Sequence, residues 1–158
     1  MFLIDDGVVP GNEGRNYVLR KILRRAIRHA NMLGKKEPFI FTLTSLVAEL
    51  MRKGYPELGK SREYAAQIVR NEEEKFSATL SQGLTLLEEV ISDVRSRDES
   101  LIPGQELFKL YDTFGFPFYL ATEISEERGL TVDAEGFQRE LEKQRQRARA
   151  SWKGGETS

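Results

Sequence analysis

Six cations fall within fourteen positions near the start of the chain: Arg15, Arg20, Lys21, Arg24, Arg25 and Arg28. Across residues 12–36 there are eight Lys or Arg against a single acid, Glu13, and nowhere else is the charge so one-sided. Guanidinium and ammonium groups at this density are chemistry for holding phosphate or carboxylate oxygens, since the guanidinium fork matches both. They supply no nucleophile and no general base. The whole chain carries a net charge of −1, so any attraction to a polyanion is local to this stretch. A basic face can also be merely solvated, or paired to acidic helices of the same protein. From the residues alone all these uses stand.

Other chemistries are bounded by what the sequence lacks. There is no cysteine, which excludes disulfides and thiolate metal sites, and there is one histidine, His29, so no His pair for zinc and no Ser-His relay can form within the chain. The run Asn71-Glu72-Glu73-Glu74 has the composition of a metal cluster, but consecutive carboxylates splay around a helix, and a solvated Glu/Lys face is the expected use. Gly11-Asn12-Glu13-Gly14 has neither the dinucleotide-binding nor the P-loop spacing and follows no strand pattern. No run is apolar enough for a membrane span or laid out as a signal peptide, so a cytoplasmic chain with no membrane partner is expected. No catalytic residue and no metal ligand is assigned.

The elements that must position these residues are helices. At 100° per residue, Val18, Leu19, Ile22, Leu23, Ala26, Ile27, Ala30 and Leu33 fill one half of a wheel and Arg20, Lys21, Arg24, Arg25 and Arg28 the other, which predicts a helix with its apolar half inward and its basic half outward. Asn12 is the natural N-cap and Gly34 the natural stop. Before it, Phe2, Leu3 and Ile4 are expected to continue a packed element of a preceding domain. After it, Glu37-Pro38 opens a second helix to about Lys53 with Phe39, Leu43, Leu46, Val47, Leu50 and Met51 inward. Ser61 is placed as the cap of a very long helix, whose stripe from Ala65 to Val94 would span about 50 Å, with a bend allowed at Gly83. A helix from Pro103-Gly104 ends in the corner Phe114-Gly115-Phe116-Pro117. Another runs from Pro117 to Arg128, and Asp133 caps a last one, whose basic end Lys143–Arg149 is expected to fray toward Gly154-Gly155. Strand signals are nearly absent. The fold class is all-α, a multi-helix domain with one basic amphipathic helix and one very long helix.

Two stretches carry a resemblance. The segment from Asp6 to His29, Asp-Gly-Val-Val-Pro-Gly-Asn-Glu-Gly-Arg-Asn-Tyr-Val-Leu-Arg-Lys-Ile-Leu-Arg-Arg-Ala-Ile-Arg-His, closely resembles the alanyl-tRNA synthetase family where its catalytic domain gives way to a helical tRNA-recognition domain. Leu110-Tyr-Asp-Thr-Phe-Gly-Phe-Pro117 is similar to a second signature of that domain, and both occur in family order. Glu72–Phe76 and Thr79–Gly83 match as well, so the resemblance covers nearly the whole chain. Where the family more often has Asp-Leu-Thr, this chain has Tyr119-Leu120-Ala121.

The resemblance implies residues 1–11 as the remnant of a link to a catalytic domain, 12–151 as the acceptor-stem recognition domain, and 152–158 as a disordered tail. The implied partner is the acceptor stem of alanine tRNA, whose G·U wobble pair is read from the wide minor groove. Carried over by motif position, Asn12 and Asp112 read the pair, with a carboxylate and an amide oxygen suited to accept from the guanine 2-amino group. Arg15, Arg20, Lys21, Arg24, Arg25 and Arg28 would hold the RNA backbone. The family is a class II ligase using ATP and magnesium, which would belong to its catalytic domain; this chain would need no cofactor and be inactive alone. On the residues by themselves, Asn12 is a plain cap and Asp112 a helix-end carboxylate bonded to nearby amides. The alternative function is a helical interaction module whose basic face binds an acidic protein.

Overall fold

Helical periodicity dominates the sequence, and helices dominate the computed structural model, which describes residues 1–153, with side chains through Ala150. In chain order these are α1 (Phe2–Asp5), α2 (Gly14–Met32), a 3-10 turn (Ile40–Thr42), α3 (Leu43–Met51), α4 (Leu58–Ser96), α5 (Gly104–Phe114), α6 (Phe118–Glu127) and α7 (Ala134–Lys153). Two two-residue strands, β1 (Leu101–Ile102) and β2 (Thr131–Val132), pair in parallel and are the one departure from an all-α fold among the described residues. They are too short to leave a period-2 pattern in sequence. The chain divides into a first compact unit, residues 1–80, and a second from residue 81 onward, with α4 contributing to each.

In the first unit, Ile4 and Val8 pack with Leu19 and Leu23 of α2 and Ala65 and Val69 of α4. Residues 1–11, expected as a link, thus supply part of a core; Phe2 remains partly exposed, its ring edge-on to Tyr55 at 5.0 Å. The stop of α2 is as expected. Gly34 adopts φ +84°, and the Gly34 and Lys35 amides donate back to Asn31 and Ala30 at 2.9 Å, satisfying the last carbonyls. Its start is not: the N-cap position is Glu13, and no side chain caps it.

The orientation of α2 corrects the wheel. Leu19, Leu23 and Ile27 are buried, but so is Arg28 at 5% exposure, while Val18 and Ile22 are 52% and 53% exposed and Leu33 84%. The buried arc is turned by roughly a quarter of a circle toward the arginines. Glu72 of α4 causes this. It is 4% exposed and accepts from Arg24 Nε at 2.7 Å, while the Arg24 guanidinium lies 4.6 Å from the Phe76 ring centre. A buried carboxylate must have partners, and the arginine edge of α2 supplies them at the expense of burying Val18 and Ile22.

Next to it, Glu73 is equally buried and accepts the backbone N–H groups of Phe39, Ile40 and Phe41 at 2.9, 2.7 and 2.9 Å, satisfying the donors that open the 3-10 turn. The acidic run expected to be solvated is therefore two-thirds interior; Glu74 alone pairs on the surface, with Arg70. Helix α3 is also turned: it buries Thr44 and Ala48 and leaves Leu43, Leu46, Leu50 and Met51 exposed, Leu50 at 72%. Ser61 is no cap, since α4 begins at Leu58 and the Ser61 hydroxyl faces the Leu58 carbonyl.

The second unit follows its pattern. Leu87, Ile91, Val94, Leu107, Leu110, Leu120 and Ile124 are buried as their periodicity requires. Gly83 allows close approach: a Cβ there would sit 2.0 Å from the Phe116 ring, which is fully buried. Gly115 turns the corner at φ +68°. Asp133 caps α7 as expected, accepting the Gly136 N–H at 2.8 Å. Phe137, not singled out in sequence, gathers the aromatics: Phe118 stacks on it at 4.1 Å and Tyr111 meets it edge-on at 5.6 Å. Helix α7 continues through Lys153; the rest of the expected tail, 154–158, lies outside the described residues.

Candidate nucleic-acid interface

In the first unit the loop entering α2 is held by short-range contacts. The Gly11 N–H donates to the Asn16 carbonyl at 3.0 Å, and a Cβ on Gly11 would lie 2.8 Å from that of Asn16, so only glycine lets the loop fold onto the first turn. This presents Asn12 on the surface. Its side chain does not cap the helix. Instead Asn12 Oδ1 accepts from Arg20 Nη1, while Arg20 Nη2 donates to the Pro10 carbonyl at 3.3 Å. Arg20 Nε stands 3.2 Å from Glu72 Oε1 yet is not aimed at it, so this third contact is an ion pair without a hydrogen bond. Because arginine can only donate, the atom of Asn12 facing it is the oxygen, and the amide NH2 has no partner among the described residues.

In the second unit Asp112 is exposed in the last turn of α5. Packing around Phe137 sets α5 against α7, and Asp112 Oδ1 accepts from Gln144 Nε2 of α7. The partner is a side-chain amide, not the backbone amides expected of a helix-end carboxylate. Its second oxygen has no partner among the described residues. Tyr119 is half-buried in the first turn of α6.

The six candidate backbone contacts do not share one open face. Arg15 and Arg25 are exposed, Arg20, Lys21 and Arg24 are half-buried, and Arg28 is buried. Of those turned inward, Arg20 and Arg24 pair with Glu72. Sequence reasoning missed Glu72, Glu73 and Gln144 as structural partners. For the two glutamates a signal existed: both lie three or four positions from Val69 and from Phe76, on the buried stripe of α4. For Gln144, far along a polar helix, none did.

Among the described residues no group of His, Asp and Glu could hold a metal ion, and no helix is long and apolar enough to cross a membrane. In the first unit Asn12 offers a donor, and in the second unit Asp112 offers an acceptor, each exposed and each held by one neighbour.

Comparison with known proteins adds a lineage to this geometry. The family described as tRNA synthetases class II (A) matches residues 1–158. The chain is 50% identical over 148 residues to the alanine–tRNA ligase of Bacillus pumilus (strain SAFR-032), covering 94% of this chain and 17% of that protein. It is 49% identical over 150 residues to that of Geobacillus kaustophilus (strain HTA426), covering 95% and 17%. With the Streptococcus pneumoniae (strain Hungary19A-6) ligase it shares 48% over 155 residues, 98% and 18%. The chain thus spans under a fifth of the length of these relatives.

Proposed function

The chain belongs to the tRNA synthetases class II (A) family, and from that footing we propose that it is the helical tRNA-recognition part of an alanine–tRNA ligase, following the catalytic domain. It binds the acceptor stem of alanine tRNA and reads a G·U wobble pair from the minor groove. In that pair the guanine 2-amino group lacks its usual cytosine partner and needs an acceptor, while uracil O2, which already accepts guanine N1–H, keeps one lone pair for a donor. Asn12 and Asp112 read the pair, and Arg15, Lys21 and Arg25 hold backbone phosphates. The observation that carries this reading is the open, opposite hydrogen-bonding sense of the two motif residues, each held outward by a neighbouring donor. Arg20 and Arg24 serve chiefly to fix α2 through Glu72, and Arg28 is buried.

Activation of alanine with ATP and magnesium belongs, on this proposal, to the rest of the ligase. The exposed apolar positions of α2 and α3, notably Val18, Ile22, Leu46 and Leu50, are where that remainder would pack. The alternative, a basic module for an acidic protein, is weakened by Glu72, which already occupies Arg20 and Arg24. A test compares alanine tRNA with the same tRNA carrying G·C in place of G·U, by aminoacylation with the full-length protein containing these residues. A clear preference for G·U is expected; equal rates would sink the proposal.

A further inference from the structure

The basic run Lys143, Arg145, Arg147 and Arg149 has no part in the function proposed above. No acid stands between Glu142 and Glu156, so the end of α7 carries one sign of charge. In the second unit α5 and α7 leave the paired strands β1 and β2 side by side, and a Cβ on Gly104 would sit 2.2 Å from the Phe137 backbone nitrogen. Near the far end of α5, Gln144 Nε2 donates to Asp112 Oδ1. Helix α5 stops at Phe114, whereas α7 continues through Lys153, and every residue from Arg145 to Ala150 is exposed. At 1.5 Å per residue the stretch from Gln144 to Ala150 carries the helix about 9 Å beyond the Asp112 contact. A helix polar on every side is held by pairs between its own turns or by something lying on it. Its own pairs are few. Lys143 meets Glu140 at 2.7 Å, and Arg147 Nε reaches only the Lys143 carbonyl, at 3.3 Å. Arg145 and Arg149 have no hydrogen bond or ion pair among the described residues, and both i,i+4 pairs of this run set like charges one above the other. Attraction to the helix C-terminus covers the last turn alone, and Lys143 and Arg145 lie about two turns or more before Lys153.

We propose that Lys143, Arg145, Arg147 and Arg149 form a second RNA-backbone site, which holds phosphates of the acceptor stem on either side of Asp112. This rests on the proposed function and adds a grip on the RNA by the second unit, where the cations of α2 belong to the first. At 100° per residue Lys143 and Arg147 lie to one side of the Gln144 row and Arg145 and Arg149 to the other, so cations flank the tie to Asp112. An open carboxylate brought to RNA is repelled by the phosphates around it, and cations within a Debye length offset that repulsion while fixing position without reading sequence. The arrangement favours RNA over an acidic protein. A carboxylate at the centre of a cationic patch would oppose an acidic surface, whereas a nucleic-acid minor groove sets a guanine amino donor between two rows of phosphates.

The experiment measures binding of the full-length protein to whole alanine tRNA, and to a hairpin of its acceptor stem alone, by fluorescence anisotropy across a range of salt. In the double variant Arg145→Gln with Arg149→Gln, the slope of log K against log salt should flatten by about two units, one per phosphate contact, on both RNAs. Affinity should fall equally for the G·U and G·C forms, because phosphate contacts carry no sequence. Arg145→Lys with Arg149→Lys keeps the charge and should keep the wild-type slope. Both variants should retain the thermal midpoint, since the positions are exposed and Gln and Lys are good helix formers. An unchanged slope in the glutamine variant overturns the proposal and leaves the patch to an acidic protein or to solvent. Equal flattening in the lysine variant overturns it as well, and flattening confined to whole tRNA places the phosphates outside the acceptor stem. Flattening on both RNAs with no wild-type preference for G·U would instead sink the reading of the wobble pair and leave the phosphate site standing.

Discussion

In residues 1–80 the inward sides of α2, α3 and α4 carry Arg28, Thr44, Glu72 and Glu73, and the outward sides carry Val18, Ile22, Leu46 and Leu50; from residue 81 to 150 the one buried polar side chain is Ser125, and the large apolar residues are covered except Leu101 and Tyr111. The second unit is held by packing, centred on Phe116 and Phe137. The first is held in part by directional bonds to two carboxylates. Packing tolerates small shifts, whereas charge-assisted hydrogen bonds prescribe an orientation. The same contrast holds at the surface: in the first unit the Asn12 amide oxygen is taken by Arg20, whereas in the second the Asp112 carboxylate presents an oxygen whichever way it turns.

The comparison can be broken by mutation. Phe116→Ala should show the largest loss, about 3–5 kcal/mol in a chemical denaturation curve, since it empties a fully buried site against Gly83. Glu72→Ala should follow at about 3 kcal/mol, because it strands two half-buried arginines. A neutral Glu72→Ala would mean that the first unit is held by packing after all. Leu23→Ala should cost about 2–3 kcal/mol, yet its neighbour Ile22→Ala much less, and Leu50→Ser within about 0.5 kcal/mol. Equal losses at Ile22 and Leu23 would restore the orientation that the wheel predicts. The smallest effect is on binding alone: Arg15→Ala should lower the salt dependence of tRNA binding by about one unit of slope, with no change in thermal midpoint.

What could be foreseen and what could not divides along the same line. Local signals held: Gly34 stops α2, Gly115 turns the aromatic corner and Asp133 caps α7, each depending on residues within a few positions. The facing of α2 was set by Glu72, 48 residues from Arg24, and a wheel drawn on α2 alone contains no trace of it. Asn12 is not the cap that its residue type suggests, for a similar reason. Its oxygen had a better donor in Arg20, two turns along the helix and reaching back. The candidate site was legible as residue types, through motifs matching a family; its hydrogen-bonding polarity was legible only once Arg20 and Gln144 could be placed.

The central claim is that Asp112 accepts a hydrogen bond from an unpaired guanine amino group, and Asp112→Asn tests it with least ambiguity. The substitution keeps size, and Gln144 can still donate to the remaining amide oxygen. The outward acceptor becomes a donor. In the full-length protein the ratio of kcat/KM for G·U over G·C tRNA should fall by about 1–3 kcal/mol of discrimination, with the thermal midpoint nearly unchanged. An intact ratio with a strongly lowered midpoint would make Asp112 a structural tie between α5 and α7 and contradict the account.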